Sequence, residues 1–424
     1  MPYVLLLITL LWASATTLTA QTPQPVPLPI TQTISVAAFG ARGDGRTNDT
    51  QAFIAAITVA ASQGARLQLG NATYLLTGTL TIPQSARPIS IAGGTNTTLL
   101  FASLRPIDSG IVIAKDSAVE LKSFTIQGSG AGLNHAVSIT GSTNVQLNAL
   151  QIKNIQGTGP LTTSAIMLGG DNLVWITNST FTGVGAGAGK PSLVIWNYYQ
   201  MDSQHIYINH NTMSGNTANI VIGMFDTNHT VIDSNVIDGG NSCVNPCNNN
   251  GYGVLFYLEN LHGSSPSSAP KLQDETVTHN QIANTAGSGI YLASVTGGTI
   301  SANSITHTSI QMDDTTLPAA GIALNGADNV MVSNNVIQND GKGGICLTTS
   351  KNDVIQGNQI YNSSKWGIHL RVADASTTIQ NNTINTAPVG ILSHHDSVDS
   401  RIQNNVMVKV GVALRSYTQN GSDN

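Results

Sequence analysis

Along the second half of the chain the hydrophobic positions repeat in a fixed frame. A hydrophobic residue, two or three polar ones, an Asn, one further residue and a second hydrophobic recur together. Copies stand at Val277…Asn280-Gln-Ile282, Ile300…Asn303-Ser-Ile305, Val332…Asn335-Val-Ile337, Ile355…Asn358-Gln-Ile360, Ile379…Asn382-Thr-Ile384 and Ile402…Asn405-Val-Met407. Earlier copies lie at Ile176…Phe181, Ile208…Asn211-Thr-Met213 and Ile232…Asn235-Val-Ile237. A second unit follows each later copy, as in Gly289-Ile-Tyr-Leu292, Gly321-Ile-Ala-Leu324, Gly344-Ile-Cys-Leu347, Gly367-Ile-His-Leu370, Gly390-Ile-Leu-Ser393 and Gly411-Val-Ala-Leu414. The Asn spacings from residue 280 are 23, 32, 23, 24 and 23. Two or three short strands in so small a unit cannot close a core alone. Stacked units bury one continuous core, and an Asn at a fixed turn can bond to its copies above and below. The pattern therefore predicts an all-β, single-domain parallel β-helix. Leucine-rich repeats share the period but need a Leu frame with helical stretches, and propeller blades need about 40–45 residues.

The period is broken by insertions at Gly183–Pro191, Asp238–Gly251, His262–Asp274 and Thr306–Pro318, and loops leaving one side of a solenoid commonly build its groove. The start of the chain differs. Ile34 to Phe53 (ISVAAFGARGDGRTNDTQAF) predicts a strand, a Gly-Asp-Gly turn and a helix capped by Asn48 or Asp49, with apolar residues at Phe53, Ile57 and Ala61 and an end at Gly64. Such a helix can cover the open end of a solenoid, whose bare edge would otherwise aggregate. This stretch resembles the FGAxGDGxTNDTxAFxxAI opening of the pectate-lyase-like superfamily, which includes rhamnogalacturonase/epimerase-like and phage-tailspike β-helix proteins. The repeats over 115–415 resemble those of the same superfamily. The resemblance implies a right-handed parallel β-helix and a carbohydrate-related role.

Composition narrows the class further. Only 9% of residues are charged, against about 25% in an ordinary domain, and 41% are hydrophobic but only 5% aromatic, so the core must be aliphatic. No Lys/Arg run accompanies the net charge of −5, which leaves no footprint for nucleic acid. Val4 to Trp12 is apolar but too short to span a bilayer, and small residues lead to Ala20-Gln21, so residues 1–20 read as a secretory signal peptide. Residues 21–33 then read as a Pro-rich linker, 34–114 as cap and first coils, and 416–424 as a polar tail. A secreted or periplasmic protein follows, with a polysaccharide as its partner, no membrane span, and a monomer or homo-oligomer both compatible with the pattern. In that setting Cys243 and Cys247 suggest a small disulfide-closed loop, while Cys346 reads as a strand residue.

Candidate chemistry comes from strand parity. After each Gly the next residue points inward and the one after it outward. Aligning the coils gives one outward column of Tyr291, Ala323, Cys346, His369, Leu392 and Ala413, and a second of Ala293, Asn325, Thr348, Arg371, His394 and Arg415. Coils stack about 4.8 Å apart. Arg371, His394, Arg415 and His369 would then form a polar ladder suited to a uronate, Arg pairing with its carboxylate and His moving a proton. A lyase or epimerase follows as the leading activity. A glycoside hydrolase would instead need two carboxylates, from among Asp313, Asp314, Glu259 and Asp396. The Asp313-Asp314 pair is similar to that of polygalacturonase-like hydrolases but lacks their Gly-His-Gly and Arg-Ile-Lys companions, and serves equally as a Ca²⁺ ligand or turn. Trp196, Tyr198, Tyr199, Tyr257 and Tyr291 suit either stacking on sugar rings or rim packing, and Lys342 and Lys365, which recur two residues before Gly, suit solvated turns or, less well, anion contacts. A non-catalytic carbohydrate-binding solenoid is the third reading. No motif implies a metal or other cofactor.

Overall fold

The computed structural model describes residues 23–130, 132–157, 162–186, 192–198, 201–239, 251–258, 271–309, 319–394 and 396–417. The chain winds as a right-handed parallel solenoid of about 13 turns, with one α-helix among the described residues. Each full coil contributes three short strands, one to each of three faces. The first face is a parallel sheet running from Thr33–Ser35 through Ser203–Asn209 to Arg401–Gln403. The second carries the Asn-repeat strands, such as Gln281–Ala283 and Gln359–Tyr361. The third carries the Gly-Ile strands, such as Ile290–Ala293 and Trp366–Leu370. The last two faces merge where Thr383–Ser393 pairs with Gln359–Tyr361 through its first half and with Trp366–Leu370 through its second.

The inward columns build one aliphatic core. On the first face Ile300, Val332, Ile355 and Ile379 stand in register, and on the second Ile282, Ile305, Ile337 and Ile360 do; all are at most 1% exposed. Between these faces the repeated Asn is buried, and it forms the expected ladder. The backbone N–H of Asn235 donates to Asn280 Oδ1 (2.9 Å), and Asn235 Nδ2–H donates to that same oxygen (3.0 Å) and to the Ile208 carbonyl (2.7 Å). Equivalent bonds run coil by coil from Asn211 to Asn405. The residue just before each Asn is left-handed, as at His279 (φ 54°) and Asn334 (φ 56°), which turns the chain sharply and aims the amide inward.

The helix α1, Thr50–Gln63, closes the N-terminal end and buries Phe53, Ala56, Ile57 and Ala60 against the core. Asn48 Oδ1 accepts from the Thr50 N–H (3.1 Å) and hydroxyl (2.6 Å), while the Asp49 carboxylate accepts from the N–H groups of Arg42 (2.8 Å) and Gly43 (3.0 Å). The sequence offered either residue as the cap; Asp49 holds the N-cap position but turns its carboxylate to the preceding loop, and the Asn48 side chain takes the Thr50 N–H instead. Residues 23–30, read from the sequence as a linker, lie instead against the first face. No helix among the described residues is long and apolar enough to cross a membrane.

Candidate functional site

The third face differs from the other two because of its glycines. A Cβ on Gly344 would stand 2.6 Å from Ile360 Cγ2 and 2.7 Å from the Gly367 carbonyl, and Gly321 and Gly367 meet the same obstacles on neighbouring coils. The absent side chain lets each strand start tight against the core, so that the residues on either side of the inward pair face outward. Trp366, just before Gly367, and His369, two after it, both lie on the outer surface, their rings 4.9 Å apart.

That outer surface is not the solvated stripe that parity alone suggests. Leu193, Trp196, Tyr252, Leu255, Tyr291, Cys346, Trp366 and Leu392 form a second hydrophobic cluster, separate from the core, each at most 8% exposed. Tyr252 and Tyr291 lie 5.2 Å apart, Trp196 meets Tyr198 edge to face at 5.1 Å, and Phe225 meets Tyr257 at 6.2 Å. These side chains are shielded from solvent, so the layer is a packed apolar cluster rather than an exposed patch.

At the C-terminal coils the layer becomes polar. The rings of Trp366, His369, His394 and Tyr417 follow one another at 4.9, 5.1 and 5.1 Å. The strand register corrects one sequence-based alignment here. Val389 pairs with Val412 and Leu392 with Arg415, so the last coil is offset by two residues from the Gly390–Gly411 match. Arg415 therefore stands in the first outward column beside Leu392, and Tyr417 takes the place beyond His394. Arg371 remains in the second column, its N–H bonded to the Leu347 carbonyl (3.0 Å) as that of His394 is to Leu370 (3.0 Å). Asn325 Nδ2–H donates to Tyr291 Oη (2.9 Å). Burial pushes the Tyr291 hydroxyl up to about 12, against the opposing pull of that hydrogen bond and of the Arg371 charge. Tyr291 thus stays protonated. Cys346 Sγ lies 4.0 Å from His369 Nδ1.

Of the remaining sequence candidates, Lys342 and Lys365 do stack on consecutive coils, the Lys365 N–H bonding to the Lys342 carbonyl (2.8 Å). Asp396 is half-buried, with Oδ1 shielded and lacking a hydrogen-bond partner. Glu259, Asp313, Asp314, Tyr199, Cys243 and Cys247 lie outside the described residues, as do residues 1–20. Sequence reasoning missed Tyr417, placed in the polar tail, because its alignment ran one coil in the wrong register. It also missed His135, on a coil without the Gly-Ile marker. His135 Nδ1 is 2.8 Å from Ser164 Oγ, and burial holds its pKa down to about 4 while the nearby Asp108 opposes the shift. Among the described residues no group of three or more His, Cys, Asp and Glu could hold a metal ion.

Residues 270–424 match the family described as the right handed beta helix region. With the three-faced coil and the Asn ladder this decides the class. The chain has the right-handed parallel β-helix fold. Among solved β-helices it is similar to tailspike protein 3 of bacteriophage CBA120 (TM-score 0.67, 14% identity, 90% of this chain, 59% of the tailspike). It is also similar to the A-module of the Azotobacter vinelandii mannuronan C-5 epimerase AlgE6 (0.57, 15%, 88% and 98%) and to the Streptococcus pneumoniae surface adhesin PfbA (0.56, 16%, 93% and 94%). The chain thus spans about three fifths of the tailspike's length. At such identities the likeness is one of fold. No curated protein matches the sequence.

Proposed function

We propose that this β-helix is a secreted or periplasmic carbohydrate-active protein that lays a polysaccharide along its third face and acts on a uronate-containing chain at the C-terminal coils, as a lyase or epimerase. The observation that carries the reading is the run Trp366–His369–His394–Tyr417, flanked by Arg371 and Arg415, in a chain with 9% charged residues. A similar fold serves an enzyme named for C-5 epimerisation of mannuronan. Upstream, the exposed ring of Tyr257 and the partly buried ring of Tyr198 offer flat apolar surfaces on which pyranose rings stack, while Trp196, Tyr252 and Tyr291 are packed beneath them.

The chemistry follows from the residue types. Arg371 or Arg415 pairs with the uronate carboxylate, which acidifies the adjacent C5 proton. His394 removes that proton, with His369 behind it. In elimination the C5–H electrons form the C4=C5 double bond, the C4–O bond breaks, and the leaving oxygen takes a proton. Tyr417, ring to ring with His394 at 5.1 Å, is better placed to give that proton than Tyr291, which lies three coils from His369. In epimerisation the proton returns to C5 from the opposite face and no bond to oxygen breaks.

A screen of the purified protein on pectic, alginate, glycosaminoglycan and neutral polysaccharides, reading ultraviolet absorbance, reducing ends and C5 configuration, tests the reading. Unsaturated uronate, or inverted C5 without cleavage, supports it. Reducing ends without unsaturation, lost on substitution of Asp313, Asp314, Glu259 or Asp396, replaces it with a hydrolase. Saturable binding with no turnover replaces it with a binding solenoid.

A further inference from the structure

The Pro-rich segment 23–30 is docked rather than slack. Trp175 Nε1–H donates to the Pro23 carbonyl (3.3 Å), and Gln146 Nε2–H donates to the Val26 carbonyl (2.8 Å). Gln146, Trp175 and Tyr207 are register partners on three successive coils of the first face. Trp175 and Tyr207 stack at 5.5 Å and 19°. These outward side chains are only 5%, 6% and 7% exposed.

The two hydrogen bonds fit a polyproline II segment. The two accepted carbonyls belong to residues three apart, and a helix with three residues per turn presents them on one side. Pro25 and Leu28, also three apart, are half-buried, while Pro23, Gln24, Val26 and Pro27 are exposed. Pro23, Pro25, Pro27 and Pro29 bring no N–H, so the segment cannot extend the sheet ladder, and its carbonyls turn to side-chain donors instead. The length also fits. Thr33 pairs with Arg66, from which Ser90, Glu120, Gln146 and Trp175 follow coil by coil. Those five steps span about 24 Å at strand spacing. Ten residues from 23 to 33 cover about 31 Å in polyproline II. The turn closed by the Ile30 N–H on the Leu28 carbonyl (2.8 Å) takes up the difference.

We propose that the stripe Gln146–Trp175–Tyr207 is a recognition surface for proline-rich chain in the polyproline II conformation, occupied in cis by residues 23–30. The segment is an axial clasp across the N-terminal coils, on a different face from the carbohydrate groove. An aromatic pair with an indole donor is the surface that such chain selects.

The test uses the full-length chain carrying Pro23→Gly, Pro25→Gly and Pro27→Gly together, which loosens the clasp, and a synthetic peptide of residues 21–32 added in trans. Saturable binding to the loosened chain, at least ten-fold tighter than to the wild type and lost when Trp175→Ala is added, supports the proposal. Tryptophan emission and hydrogen exchange report it. Should Trp175→Ala fail to fold, Gln146→Ala takes its place, with a weakening of several-fold expected. No saturable binding to a folded loosened chain overturns the proposal, as does equal binding by the Trp175 and Gln146 variants, or equal exchange of residues 24–30 in loosened and wild-type chains.

Discussion

Gly344 shows how one missing methyl group shapes the molecule. Because a Cβ there would stand 2.6 Å from Ile360 and 2.7 Å from the Gly367 carbonyl, Gly344→Ala should destabilise the solenoid by about 1–3 kcal/mol in urea unfolding. Gly78→Ala, whose Cβ would meet only Thr50 at 3.6 Å, should stay within about 0.5 kcal/mol. Strand parity was legible in the repeats, and Ile345 and Ile368, at 0% exposure, are inward as read. An Asp at Ile368 would bury an unpaired charge and cost several kcal/mol. Cys346 is different. Parity puts it outward, where Ser would be neutral, but the outer apolar layer leaves it 1% exposed against His369, so Cys346→Ser should cost about 1 kcal/mol. No periodicity announces that second layer, because outward positions have no frame to obey until neighbouring coils bring them together.

At the level of the element, the Asn turn is the unit that ties coil to coil. Asn358 Oδ1 accepts from the Asn335 N–H (3.0 Å) and side chain (3.0 Å), while its own Nδ2–H donates to the Val332 carbonyl (3.0 Å). Asn358→Ala orphans these groups inside the core and should lower stability by about 1–3 kcal/mol for each. Asn405→Ala, in the part-buried last turn, should cost clearly less in the same denaturation assay. The ladder was readable because a turn amide needs the same residue on every coil. The capping role of α1 was readable for a similar reason, since Phe53 and Ile57 lie on one helical face. Deleting residues 34–64 should expose the first coil and yield aggregates rather than a shorter soluble solenoid, checked by size-exclusion chromatography. The clasp was not readable. Four prolines in eight residues specify an extended backbone, but only Trp175 and Gln146, far away in sequence, specify where it lies.

For the whole molecule the decisive feature is a set of buried carboxyls. Burial raises Asp171 to about 6, Asp374 to about 7 and Asp353 to about 8, and pushes Glu275 and Asp340 well up. A carboxyl that stays protonated in the fold but ionises once unfolded stabilises the fold below its unfolded pKa, and that stability is lost as pH rises through the folded value. The melting temperature should therefore fall as pH climbs from about 4 to about 8, and Asp353→Asn should flatten the upper part of that fall. His135 works against the trend. Its pKa is lowered to about 4, so its contribution is full above the free imidazole value and fades as pH drops toward 4. If the proposed site is right, turnover runs the other way, rising across the imidazole range as the base loses its proton. His394→Ala should then remove most turnover, by about 10²–10³ if a transition-state contact is lost, while changing the melting temperature little. A parallel loss of both in calorimetry and rate assays would show that His394 is structural.

The sequence by itself determined the solenoid, its N-terminal cap, its inward columns and its Asn turns. Each of these is enforced locally and identically on every coil, so that a period in the chain is a column in space. Only the tertiary structure decided what the outer surfaces do. It set the offset of the last coil that moves Arg415 beside Leu392 and brings Tyr417 to His394, and it made the apolar layer over the third face. It also docked the Pro-rich segment on Trp175 and buried the turn carboxyls past their ordinary titration. These depend on which side chains meet across coils and on how far water is excluded between them, and neither quantity is periodic in the sequence.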